Sequence, residues 1–192
     1  MFAVAALWVL VLALAGIVWV MLRQIGVLYE RISPMGALMD SAGPQVGEPS
    51  ATFELTSLTG GGIVVGGGGR AQLVFFLSPT CPVCKQLLPV LSSIRIDEKS
   101  WLDVVLASDG EEAKHREFIQ RQKLAAFPYV LSADLGMTYR VQRLPFAVLS
   151  DPTGVVRAKG LVNNREQLES LFNALSAGVS SLQQYAASHA AE

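Results

Sequence analysis

The sequence has 192 residues, enough for one domain with a sizeable core plus an appendage, and too few for two ordinary enzymatic domains. Apolar residues make up 51%, charged residues only 16%, and the net charge is −1, so the basic face that nucleic-acid binding requires is missing and no nucleic-acid partner is expected. The hydrophobic excess is concentrated at the N-terminus.

Phe2 to Leu22 runs for 21 residues without a charge. At about 1.5 Å per residue a helix of that length spans about 31 Å, the thickness of a bilayer core, and Trp8 and Trp19 would lie toward its two interfaces. A cleaved secretory signal ending near Ala13-Leu14-Ala15 is the rival reading, but the basic n-region is missing and the apolar run continues past that site. The expectation is therefore a single N-terminal transmembrane helix in contact with the lipid bilayer through residues 2–22. Arg23 and Arg31 follow it, and the positive-inside rule taken alone would put the rest of the chain in the cytoplasm. A lone cysteine pair tethered to a membrane makes more chemical sense outside, where disulfides persist. The expected location is the inner (cytoplasmic) membrane, single-pass, with the following domain in the periplasm.

Ile25, Leu28, Tyr29 and Ile32 keep helical spacing, which extends the anchor into an amphipathic stalk over residues 1–32 until Ser33-Pro34 stops it. Residues 33–50 read as a linker. Thr52 to Leu58 alternates as a strand does, and Ile63 to Val65 can pair with it across Gly60-Gly61-Gly62. The run Gly66 to Gly69 invites comparison with a phosphate-binding loop, but no Lys-Ser or Lys-Thr follows and no helix opens there, so it reads as a flexible turn.

Leu73 to Leu77 is a short continuous apolar run, the pattern of a strand buried on both faces. A helix begins at Cys81-Pro82, with proline in the first turn where its missing N–H costs nothing. It places Leu87, Leu88, Leu91 and Ile94 on one side, and Pro89 should kink it. Leu102 to Ala107 reads as a second strand and Glu111 to Lys123 as a polar-faced helix, which completes a βαβ unit and implies a parallel sheet. Pro128 to Leu131 is a short strand and Asp134 to Arg140 a helical turn. Phe146 to Leu149, the turn Asp151-Pro152-Thr153-Gly154 and Val155 to Lys159 form a β-hairpin. Arg165 to Leu175 closes the domain, which spans residues 51–175, and residues 176–192 read as a flexible tail.

Cys81 and Cys84 are the chain's two cysteines, and they stand where a buried strand turns into a helix. The first sulfur meets the free N–H groups and positive end of the helix, which favour thiolate over thiol. A thiolate at Cys81 can attack a substrate disulfide, and Cys84 can resolve the mixed disulfide. A structural zinc needs four ligands; beyond the two cysteines the chain offers only His115, on a charged helix face, and His189 in the tail, both read as solvated side chains. Copper(I) held by two thiolates is a minor alternative. No cofactor is expected beyond a redox-active Cys81–Cys84 disulfide.

From about residue 44 to 175 the chain resembles membrane-anchored thioredoxin-like proteins of the TlpA and ResA type, which implies an α/β thioredoxin-like fold. The stalk RQIGVLYERISPMGAL, the segment GPQVGEPS and the core FFLSPTCPVCKQLLPVL extend the resemblance to the MauD family of methylamine utilization accessory proteins. That resemblance implies a thiol–disulfide oxidoreductase or isomerase that helps the methylamine dehydrogenase small subunit acquire its disulfides. It also implies a membrane redox partner that recycles the pair. Cys81 becomes the attacking or accepting cysteine and Cys84 its partner. Pro145 becomes a cis-proline facing them, and Leu144, Pro82 and Val83 complete the substrate-facing surface. A binding chaperone for the same subunit, and a TlpA-like thiol reductase for metal or haem pathways, are the alternatives. Two departures matter: the buried acid that thioredoxin carries six residues before its first cysteine is Phe75 here, and the aromatic that often precedes the motif is Thr80.

Overall fold

The computed structural model describes residues 43–67 and 69–177, the side chains of the last five excepted, together with positions 2, 4–8, 10–14, 16, 18 and 19. Two compact units separate at Asp40/Ser41. In the first, the described residues are helical, and Leu7, Trp8, Leu12 and Trp19 are exposed. Among the described residues no helix is long and apolar enough to cross a membrane. The stalk and the tail from residue 178, His189 included, lie outside the described residues.

The second unit is a sheet covered on both faces. Its elements are β1 (Phe53–Thr56), β2 (Gly62–Val65), β3 (Ala71–Phe76), α1 (Pro82–Asp97), β4 (Leu102–Ser108), α2 (Glu112–Gln122), β5 (Tyr129–Leu131), α3 (Ala133–Thr138), β6 (Phe146–Ser150), β7 (Val156–Leu161) and α4 (Arg165–Ala177). Five strands form the main sheet in the order β5-β4-β3-β6-β7. β3 lies at its centre, parallel to β4 from Ala71↔Leu102 to Phe76↔Ala107 and antiparallel to β6 from Gln72↔Ser150 to Phe76↔Phe146. That position explains why all six residues of β3 are buried and why Leu73 to Leu77 reads as an unbroken apolar run.

The two-residue period of β3 divides the core. Leu73, Phe75 and Leu77 face a cluster with Leu87, Leu88 and Leu91 of α1, Phe118 and Ile119 of α2 and Leu168 and Leu171 of α4. Val74 and Phe76 face a second cluster with Leu135, Tyr139 and the inner side chains of the β1–β2 hairpin, Phe53, Leu55, Ile63 and Val65. Each large aliphatic side chain so buried contributes about 1.5–3 kcal/mol. The hairpin closes through Gly60 and Gly61, at φ of 115° and 79°, a left-handed backbone that glycine alone adopts without strain. It reaches the main sheet through a bridge from Ser57 to Val130.

Three expectations change. Residues 43–50 are not a free linker: the Gly47 N–H donates to the Val156 carbonyl at 2.8 Å, the Val156 N–H to Glu48 at 2.9 Å, and the Ser50 hydroxyl meets Tyr139 Oη. The segment pairs with the start of β7 at Val156, on the outer edge of the sheet. The glycine turn is also tied down, because the Gly66 N–H donates to Gln72 Oε1 at 3.0 Å. His115, finally, is buried at 3% exposure. It turns inward from α2, with Nδ1 2.8 Å from Tyr129 Oη and Nε2 2.9 Å from the Asp109 carbonyl, because a ring with two polar atoms can be buried where both find partners.

Candidate active site

The disulfide lies where β3 runs out. Leu77 still bonds to β4 through its N–H and the Ala107 carbonyl, and the chain then leaves the sheet over Ser78-Pro79-Thr80. Ser78 braces that loop: its Oγ accepts from the Thr80 N–H at 3.3 Å, and its carbonyl accepts from the Cys81 N–H at 3.1 Å. Cys81 is the N-cap of α1, with extended backbone at φ −78° and ψ 114°, and Pro82 follows in the first turn. The sulfur of Cys81 takes the place of a capping oxygen, accepting from the Cys84 N–H at 3.1 Å.

Cys81 and Cys84 are joined, with Cα atoms 5.3 Å apart. Cys84 is fully buried, packed with Phe75, Leu77 and Leu87, whereas Cys81 is half-buried. The asymmetry assigns roles: only the first sulfur is open to an incoming thiol or disulfide, and the second waits behind it. No acidic residue stands in the first turn of α1, so the positive helix end and its free N–H groups act on a reduced Cys81 unopposed. Phe75 fills the place where thioredoxin has its acid, so no carboxylate lies behind Cys84 on that strand.

The Leu144–Pro145 bond is cis, as the resemblance implied. Since Phe146 pairs with Phe76, Pro145 stands level with Leu77, at the end of the sheet that launches the cysteine loop. Its carbonyl is taken by the Val162 N–H at 3.1 Å. Among the described residues no backbone hydrogen bond engages Leu144, whose side chain is 39% exposed. Pro82 is exposed and Val83 half-buried beside the disulfide. The sequence-derived residues Cys81, Pro82, Val83, Cys84, Leu144 and Pro145 thus gather at one end of the sheet.

A polar chain beneath this end escaped sequence reasoning. His115 meets Tyr129 Oη, and Ser108 Oγ donates to the Leu77 carbonyl at 2.7 Å, the residue from which the cysteine loop departs. Burial pushes the Tyr129 hydroxyl well above its usual range, with Ser108 opposing the shift, so this phenol stays protonated. The signal that could have found the histidine is its spacing: Phe118 and Ile119, three and four residues on, share its face of α2 and are buried with it.

No protein-family model matches the chain. Among solved structures it is similar to StoA from Bacillus subtilis (TM-score 0.57, 23% identity, 66% of this chain and 98% of that one). It is also similar to the thioredoxin domain of a thiol-disulfide oxidoreductase from Bacteroides vulgatus (0.56, 20%, 70% and 97%). These likenesses show a thioredoxin-like α/β fold. Among curated proteins, the methylamine utilization protein MauD of Methylobacillus flagellatus is 44% identical over 182 residues, 93% of this chain and 88% of that protein. MauD of Paracoccus denitrificans is 44% identical over 193 residues, 97% and 96% of the two chains. With a thioredoxin-like fold, a helix-capping disulfide and identity of this extent over nearly its whole length, the chain belongs to the MauD family of methylamine utilization proteins.

Proposed function

We propose that this protein is a thiol–disulfide oxidoreductase of methylamine utilization that supplies disulfides to the methylamine dehydrogenase small subunit. The observation that carries the reading is the half-buried Cys81 at a helix N-terminus, joined to a buried partner at the end of the sheet that also holds the unpaired backbone of Leu144. In the oxidising direction a substrate thiolate attacks Cys81, and the Cys81–Cys84 bond breaks with Cys84 leaving as the thiolate. A second substrate thiolate then attacks the mixed disulfide and releases Cys81. Two electrons and two protons pass from the substrate dithiol to the pair, and a membrane redox partner reoxidises it. The uncharged run over residues 2–22 supports a tether in the inner membrane, and the disulfide chemistry supports a periplasmic site of action.

Equilibrating the full chain in neutral detergent against glutathione buffers tests this. The expected result is a single two-electron transition at a potential well above thioredoxin's, about −270 mV. A value near thioredoxin's would reverse the proposed electron flow, and a pair that never equilibrates would overturn exchange altogether.

A further inference from the structure

The loop that leads into Pro145 carries Arg140 and Arg143, both exposed. Lys85, also exposed, stands on the first turn of α1, its N–H 3.4 Å from the Cys81 carbonyl. None of the three takes part in an ion pair among the described residues. Arg140 holds the left-handed position after α3, at φ 52°, with the next N–H, of Val141, on the Gly136 carbonyl at 2.9 Å. Glycine is the ordinary choice there, so the chain keeps a cation against the backbone preference.

Acids at this end of the sheet are Asp134, exposed at the start of α3, and three that follow β4. Asp109, Glu111 and Glu112 follow β4, and two of them are matched, Glu111 by Lys114 at 2.8 Å and Glu112 by Arg116 at 2.6 Å. The acids after β4 are thus largely neutralised, whereas Arg140, Arg143 and Lys85 have no carboxylate partner among the described residues. Apolar surface borders the cationic margin: Leu144 is 39% exposed, and Leu161, paired with Phe146, is 40% exposed.

We infer that the margin formed by residues 140–145, with Lys85, recognises an extended acidic polypeptide segment that carries an apolar side chain beside its cysteine. The backbone of such a segment would pair with Leu144, its apolar side chain would rest on Leu144 and Leu161, and its carboxylates would face Arg140, Arg143 and Lys85. The inference rests on the exchange reading above and adds the chemistry of the substrate to it. Exposed cations act mainly on encounter and orientation, so the preference must weaken with salt.

The test compares three probes with the full chain in neutral detergent: the neutral hydroxyethyl disulfide, and two disulfide peptides with the same leucine beside cysteine, one flanked by glutamates and one by lysines. Reduced protein should react with the acidic peptide roughly thirtyfold faster than with the basic one at low salt, and about equally in 0.5 M NaCl, as expected when about three exposed charges contribute roughly threefold each. Arg140→Gly, which suits the left-handed backbone, and Arg143→Gln should each lower the acidic-to-basic ratio about threefold, while Arg143→Lys keeps it. Taking the ratio within each variant cancels any general loss of activity. Reduction of hydroxyethyl disulfide without peptide preference, or a preference that a variant combining Arg140→Gly with Arg143→Gln retains, overturns the inference and leaves the exchange reading standing. Failure with all three probes removes both.

Discussion

At the end of the sheet where β3 begins, polar groups are bound to one another; at the end where β3 finishes, the chain leaves groups open. Arg70 ties the first end with bonds to Asp103 Oδ1 at 3.0 Å and to the Ser100 carbonyl at 3.1 Å. The Gln72 amide bridges Gly66 and Val64, and the Gly69 N–H donates to the Pro152 carbonyl. Asp151 closes the β6–β7 turn by accepting from the N–H groups of Thr153 and Val155, the Thr153 hydroxyl and Arg157. At the other end stand a half-buried sulfur, an unpaired Leu144 backbone and two exposed leucines. One sheet serves two ends because its apolar faces hold the strands rigid, which frees the terminal loops to differ. The closed end resists water, and the open end offers the unsatisfied groups that a partner chain can satisfy.

Substitution at the disulfide has the largest expected effect. Cys81→Ser should abolish exchange with every disulfide, whereas Cys84→Ser should trap a mixed disulfide with substrate, visible as a mass shift reversed by reductant. Both variants should unfold at denaturant concentrations near that of the reduced wild type. Leu73→Ala, in the core shared by both ends, should cost about 2–5 kcal/mol in chemical denaturation, since the side chain is fully buried and a cavity remains. Tyr129→Phe should cost about 1–3 kcal/mol by leaving His115 Nδ1 without its partner under the open end.

The smallest effect belongs to the closed end and sharpens the contrast through pH. Burial pushes the Asp151 carboxyl up, but bonds from the Thr153 hydroxyl, the Val155 N–H, Arg157 and the Thr153 N–H outweigh it and hold the group at about 2 against an ordinary 3.8. A carboxylate so depressed contributes stability that is fully present above about pH 3.8 and is lost as the pH falls through about 2. Asp151→Asn should therefore cost about 1 kcal/mol near neutrality and flatten the acid limb of the stability curve. An acid limb that keeps its wild-type slope in this variant would show that other carboxylates set it.

Much of the open end was legible in the residues. A proline directly after Cys81 marks a helix start, and five apolar residues before Ser78 mark a buried strand, because both signals depend on neighbours a few positions away. The turn of the β6–β7 hairpin was legible for the same reason. His115 was misread from its charged neighbours Glu112, Lys114 and Arg116, although Phe118 and Ile119 at helical spacing mark its face as buried; what the residues do not show is that Tyr129 and the Asp109 carbonyl satisfy the ring there. Residues 43–50 were equally opaque, since glycines and prolines look alike in a linker and in a segment bonded to a strand edge.

Local pattern among the residues suffices for the main strands and helices, for the cysteine pair at a helix start and for the family to which the chain belongs. Only the packed molecule settles which sulfur is open, that Pro145 stands level with the cysteine loop, which partners His115 finds and which cations are left without a carboxylate. Those outcomes depend on strand order and register, which join residues tens of positions apart. No local propensity encodes them, because the energy that selects them comes from burying both faces of one sheet at once.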